Sequence, residues 1–204
     1  MIQKLADEVT RFLKAQHIVS ESDNKQLAIY HYGIEITIAS IVNLALVFLL
    51  GAVTGTFLDC LVFLAVFVPL RQCTGGYHAE TYLLCNTVLA VTYLSVAAST
   101  RLLPINWYGV IALWAVTLII VCFFAPCENK HKKVSTAKKK RFKYISIILW
   151  IALGGYGIYL FFIFPPIAKN IIFTMTSIAI LIVIDRIKHK EELKIEKGNC
   201  KADW

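Results

Sequence analysis

The residues best suited to chemistry lie in one short stretch, Arg71-Gln72-Cys73-Thr74-Gly75-Gly76-Tyr77-His78-Ala79-Glu80-Thr81-Tyr82-Leu83-Leu84-Cys85. His78 is a candidate general base and Cys85 a candidate nucleophile. Gly75-Gly76 allows positive φ and close backbone approach, so a sharp turn is expected just before His78. Seven residues on one continuous helix share a face but lie about 10.5 Å apart along the axis, too far for direct proton transfer. His78 and Cys85 therefore pair only if a helix begins between them. Thr81 is a suitable N-cap for such a helix. Cys85 would then sit in its first turn, among unpaired N–H donors, with His78 on the turn before it.

Spacing alone leaves other uses open. With six Cys and five His in the chain, a Cys–His pair at short range also arises by chance. A zinc site would draw on Cys73, His78 and Cys85, with Cys60 as a further ligand. The pattern C-x4-H-x6-C matches no usual structural zinc spacing, so no metal and no cofactor is expected. The third reading is that these cysteines pack as small hydrophobes.

The elements that must position this stretch are membrane spans. Of the 204 residues, 58% are hydrophobic and 17% charged, against about 45–50% and about 25% in soluble domains. Mean hydropathy is +0.66. That apolar content suffices for about six transmembrane helices of about 20 residues and little else, which excludes a sizeable soluble domain. Apolar runs fall at 34–53, 55–70, 82–99, 107–126, 144–163 and 168–184. The weakest is 55–70, which is short, holds Asp59 and ends at Pro69, so a re-entrant or kinked element competes with a span there. The first 33 residues lack the layout of a signal peptide. Ile2, Leu5, Val9, Phe12 and Leu13 recur at helical spacing between charges, the pattern of an amphipathic helix on a membrane surface or against the rest of the protein.

The fold expected is an all-α polytopic membrane protein of six transmembrane helices plus an N-terminal amphipathic helix. It divides into a cytoplasmic segment 1–33, a single membrane domain 34–185 and a cytoplasmic tail 186–204. The membrane domain carries the candidate catalytic segment 71–85 and a basic loop 128–143.

The net charge of +8 tests that topology. With six spans, nineteen of the 21 Lys and Arg fall on one side and only Arg101 and Lys169 on the other. If 55–70 does not cross, the best split is 15 to 6. The positive-inside bias thus favours six spans with both termini cytoplasmic, and the excess of cations needs no nucleic acid to explain it. The side matters to chemistry, because thiols stay reduced in the cytosol. The densest run, with Lys130, Lys138, Lys139 and Lys140 in 128–143, either fixes topology and touches anionic headgroups or docks an acidic peptide. Glu35, Asn43 and Asp59 in the first two spans either hydrogen-bond between helices or line a transport pathway. Gly154, Gly155 and Gly157 serve either a homodimer interface or packing within one chain.

The motif R-x-x-x-G-G-x-H-A, followed seven residues after the His by Cys and set between two spans, resembles the AgrB (accessory gene regulator B) family. The segment Ala125-Pro126-Cys127-Glu128-Asn129-Lys130-His131-Lys132 is similar to that family's A-P-x-x-x-x-K stretch. The family comprises membrane cysteine endopeptidases of Gram-positive bacteria that process a quorum-sensing propeptide. The resemblance implies His78 as base and Cys85 as nucleophile, with Arg71, Gly75 and Gly76 as accompanying motif positions. It also implies an AgrD-like propeptide as substrate, cleaved through a thioester on Cys85 and cyclised to a thiolactone or lactone at the cell membrane. Glu35, Asp59, Glu80 and Asn86 are all candidates for a third group orienting the imidazole. The rival classes are a small transporter and a non-catalytic membrane interaction protein.

Overall fold

The computed structural model describes residues 7–11, 24–75, 82–125 and 136–202. Six long helices account for nearly all of them: α1 (Asn24–Val53), α2 (Phe57–Thr74), α3 (Tyr82–Leu102), α4 (Trp107–Phe124), α5 (Thr136–Phe161) and α6 (Pro165–Ala202). No strand occurs among the described residues. Each helix holds a stretch long and apolar enough to cross a bilayer, namely Ile29–Val53, Phe57–Thr74, Leu83–Leu102, Trp107–Phe124, Lys140–Phe161 and Pro165–Lys188. The protein is an all-α polytopic membrane protein. The segment around Asp59 and Pro69 is not re-entrant, since α2 runs unbroken from Phe57 to Thr74 with Pro69 inside it. Its 18 residues extend about 27 Å, close to the hydrocarbon thickness.

The chain forms two compact units, Met1–Leu50 and Gly51–Trp204. In the first, residues 7–11 are helical, and His31 Nε2 lies 2.9 Å from Asp7 Oδ1. Val9 lines a shallow groove with Ile29, Tyr30, Gly33, Ile34, Thr37 and Ile38. Ile2, Leu5, Phe12 and Leu13 of the expected amphipathic helix lie outside the described residues.

In the second unit α6 is the central helix. It packs against α2, α3, α4 and α5, and 61% of its span is buried against 17–33% for those four. Phe63, Leu70, Tyr93, Val121, Trp150, Ile172, Met175 and Ile178 form the core. Outward positions such as Leu58, Val91, Ile119, Phe123 and Ile148 are exposed and apolar, as a lipid-facing surface requires.

Alternate helices run in opposite directions, and polar contacts mark both ends of the unit. At one end Arg101 Nη2, near the end of α3, lies 3.4 Å from Asp59 Oδ2 in the first turn of α2. Asn170 Nδ2 of α6 donates to Asp59 O (3.2 Å) and to its Oδ1 (3.4 Å), and Lys169 Nζ donates to Leu103 O. At the other end Arg186 caps α4 by donating twice to Phe124 O, at 3.2 and 2.8 Å, where the last carbonyls of a helix lack partners. Arg101 and Lys169, the two cations that the charge count sets apart, are thus together at one end. Arg71, Lys140, Arg141, Lys143 and Arg186 belong to the opposite end.

Three glycines let these helices approach closely. A Cβ on Gly51 would lie 2.8 Å from Cys60 Cβ and 3.3 Å from the Tyr93 hydroxyl, which itself hydrogen-bonds Thr56 Oγ1. A Cβ on Gly154 would overlap the Trp114 indole. That indole donates to Trp150 O, while buried Trp150 donates to Thr117 Oγ1 at 3.1 Å. A Cβ on Gly157 would meet Ile171 at 3.3 Å, whereas Gly155 faces open space. Gly154 and Gly157 therefore pack within the chain.

Candidate active site

The last turn of α2 and the first turn of α3 frame the segment singled out by its chemistry. The Asp59–Arg101 contact fixes these two helices as antiparallel, so Arg71, Thr74 and Gly75 finish α2 at the end of the unit where α3 begins. α3 opens at Tyr82, which makes Cys85 its fourth residue, and Cys85 is half-buried. The helix start expected between His78 and Cys85 falls in a stretch, 76–81, outside the described residues. His78, Gly76, Glu80 and the expected cap Thr81 lie outside the described residues.

The end of α2 is built in detail. Gly75 has φ 67° and ψ −141°, and its N–H donates to Arg71 O at 3.1 Å. This backbone conformation is open to glycine and strained for residues with a Cβ. Its carbonyl accepts from Arg71 Nη1 at 3.2 Å and from Thr74 Oγ1 at 3.3 Å. Thr74 is fully buried and its hydroxyl also donates to Leu70 O at 2.9 Å. The sequence motif marks Arg71 and Gly75 but passes over Thr74, because a threonine near a helix end carries no signal of its own.

Several candidates separate in space. Asp59 is twelve residues before Arg71 on the same unbroken helix, about 18 Å along its axis, and is held by Arg101 and Asn170. It cannot orient an imidazole near Cys85. The same rise puts Cys60 about 20 Å from Cys73, which removes Cys60 from any shared zinc site, since Zn–S bonds are about 2.3 Å. Cys60 is buried beside Gly51 and Tyr93. Among the described residues no cluster of three His, Cys, Asp or Glu is placed to hold a metal. Asn86 follows Cys85 and is half-buried. Asn43 Oδ1 is buried and finds no hydrogen-bond partner among the described residues. Glu35 lies in the first unit.

The basic run is partly helical. α5 begins at Thr136, and Lys140, Arg141 and Lys143 are exposed along its first turns. Lys138 and Lys139 lie on the same helix, and Lys130 lies outside the described residues.

A thiol near the start of one span, at the same end of the unit as the glycine-capped, arginine-bearing end of another, belongs to a multi-pass membrane protein. Comparison with known proteins makes this specific. The accessory gene regulator B family matches residues 6–186, and the chain belongs to that family, whose setting is quorum sensing. An AgrB-like protein of Clostridium perfringens is 26% identical over 144 residues, covering 64% of this chain and 67% of its own length. An AgrB-like protein of Clostridium beijerinckii is 31% identical over 116 residues, 56% of this chain and 55% of its own length. Accessory gene regulator protein B of Staphylococcus aureus is 26% identical over 129 residues, 63% of this chain and 69% of its own length. The chain thus spans between about half and two thirds of the length of these relatives. No solved structure matches it.

Proposed function

We propose that this chain is a membrane cysteine endopeptidase that cleaves an AgrD-like propeptide and promotes its cyclisation. The observation that carries the reading is the position of Cys85 in the first turn of α3, at the same end as the Arg71-to-Gly75 cap of α2. Family membership over residues 6–186 supports it. In this mechanism Cys85 Sγ attacks the peptide carbonyl on the C-terminal side of the signal sequence. His78 takes the thiol proton and returns it to the leaving amine, so the products of the first step are a Cys85 thioester and a released C-terminal fragment. A Cys or Ser within the bound propeptide then attacks the thioester carbonyl. That closes a thiolactone or lactone and restores Cys85. Cyclisation must outrun hydrolysis, which a site at the membrane boundary favours by limiting water and holding the internal nucleophile close.

The 19-to-2 charge asymmetry, with Arg101 and Lys169 gathered at the far end, supports a cytoplasmic location for Cys85 and for both termini. The cations of 130–143 would receive an acidic propeptide tail. Co-expression with a propeptide, followed by mass spectrometry of the Cys85-containing peptide, tests the mechanism. The expected result is an acyl adduct on Cys85 and complete loss of cleavage in Cys85→Ala and His78→Ala proteins that still insert. Cleavage by Cys85→Ala would overturn it.

A further inference from the structure

We propose that Thr74, together with Arg71, positions the Cys85 chemistry by fixing the peptide plane through which the chain leaves α2 toward His78. This rests on the endopeptidase reading and assigns Thr74 a role that the motif does not contain. The orientation of a residue's carbonyl defines its ψ, and glycine, lacking Cβ, leaves ψ free over a wide range. At Gly75 two side chains remove that freedom. Arg71 Nη1 and Thr74 Oγ1 both donate to the Gly75 carbonyl, at 3.2 and 3.3 Å, while the Gly75 N–H is tied to Arg71 O.

The Thr74 hydroxyl is shared between Leu70 O and Gly75 O, a three-centre bond that pins its rotamer. It is fully buried, so no water replaces it when it is lost. His78 follows this plane by three residues, so the plane sets the direction in which the chain departs toward the base. Misplacement of a catalytic group by about 1 Å costs about 100-fold in rate. Arg71 need not touch substrate to matter, because its guanidinium is already directed at the backbone that leads to the base.

The test compares Thr74→Val, which keeps the shape and removes the donor, with Thr74→Ser, which keeps the donor. Both are made in the full-length, membrane-inserted protein. Thr74→Val should lower kcat for acyl-enzyme formation about 10- to 100-fold with KM within about twofold. Thr74→Ser should recover most of the rate. A second readout is the pH profile of Cys85 alkylation by iodoacetamide, quantified on the Cys85 peptide. Any His78-dependent step, identified by its loss in His78→Ala, should also be lost in Thr74→Val and return in Thr74→Ser. Arg71→Gln should give the same pattern, and the double variant should be no worse than the poorer single one, because both act on one carbonyl. Wild-type kcat in Thr74→Val overturns the inference, and so does a loss that Thr74→Ser fails to restore. Cleavage that persists in Cys85→Ala instead overturns the endopeptidase reading itself, so the two failures are distinguishable.

Discussion

Asn170 should hold the helix bundle more strongly than Arg101, although both grip Asp59. Asn170 is fully buried, donates to Asp59 O and Oδ1, and accepts from Thr174, which is also fully buried. Asn170→Ala removes the bonds to α2, leaves the part-buried Asp59 Oδ1 without this donor and takes away the side-chain acceptor of the Thr174 hydroxyl. Interhelical hydrogen bonds in membranes contribute about 0.6 kcal/mol each and at most about 1.7, and a buried group left unpaired costs about 1–3 kcal/mol. The expected loss is about 2–3 kcal/mol. The Arg101 contact is longer than a good charge-assisted bond, at 3.4 Å, and the arginine side chain is 51% exposed. Discounted for solvent, such a pair is worth at most about 1 kcal/mol, and Arg101→Gln should cost about 0.5 kcal/mol and lose even that at high salt. Reversible unfolding in mixed micelles, followed by far-ultraviolet circular dichroism at low and high salt, measures both. An Arg101→Gln loss equal to that of Asn170→Ala would refute this ranking, as would an Asn170→Ala loss under about 0.5 kcal/mol.

Packing and exposure make further outcomes measurable. Gly154→Ala should destabilise by about 1–3 kcal/mol through collision with Trp114. Gly155→Ala, facing open space, should be neutral or stabilising by up to about 1 kcal/mol through helix propensity, and the same unfolding assay compares them. Peptide-level alkylation should modify half-buried Cys85 faster than fully buried Cys60, with the gap closing on denaturation. Neutralising Lys138 to Lys140 should raise KM for a propeptide with an acidic tail, more at low salt than at high. An unchanged KM at low salt would confine these lysines to topology.

Much of the architecture was legible because composition dictates it. Six spans are what the apolar content permits, and the isolation of Arg101 and Lys169 in the charge count corresponds to a real gathering at one end of the second unit. Asp59 was not legible. As a residue type it competed with Glu35, Glu80 and Asn86 to orient a histidine. Only the unbroken course of α2, carrying Asp59 about 18 Å from Arg71, removes it from that contest. Its partner Asn170 lies 111 residues away in sequence, a separation that no local pattern encodes. The glycines around 154 were ambiguous for a similar reason, since whether a small residue admits a neighbouring chain or its own Trp114 depends on how α4 and α5 pack.

Cys85 and Thr74 mark the two extremes. A cysteine seven residues after a histidine stands out in an apolar chain because few other residue types there can do covalent chemistry. A hydroxyl does not stand out, because in a membrane helix its usual use is to donate to the carbonyl four residues back. Thr87, Thr92, Thr100, Ser146, Thr176 and Ser177 all do so. Thr74 makes that same bond to Leu70 and differs only in its second acceptor, the carbonyl of a glycine at positive φ. The difference depends on the direction of one peptide plane. A single sequence does not specify that direction, so the motif reveals the glycine and the arginine while the buried threonine between them is found only in three dimensions.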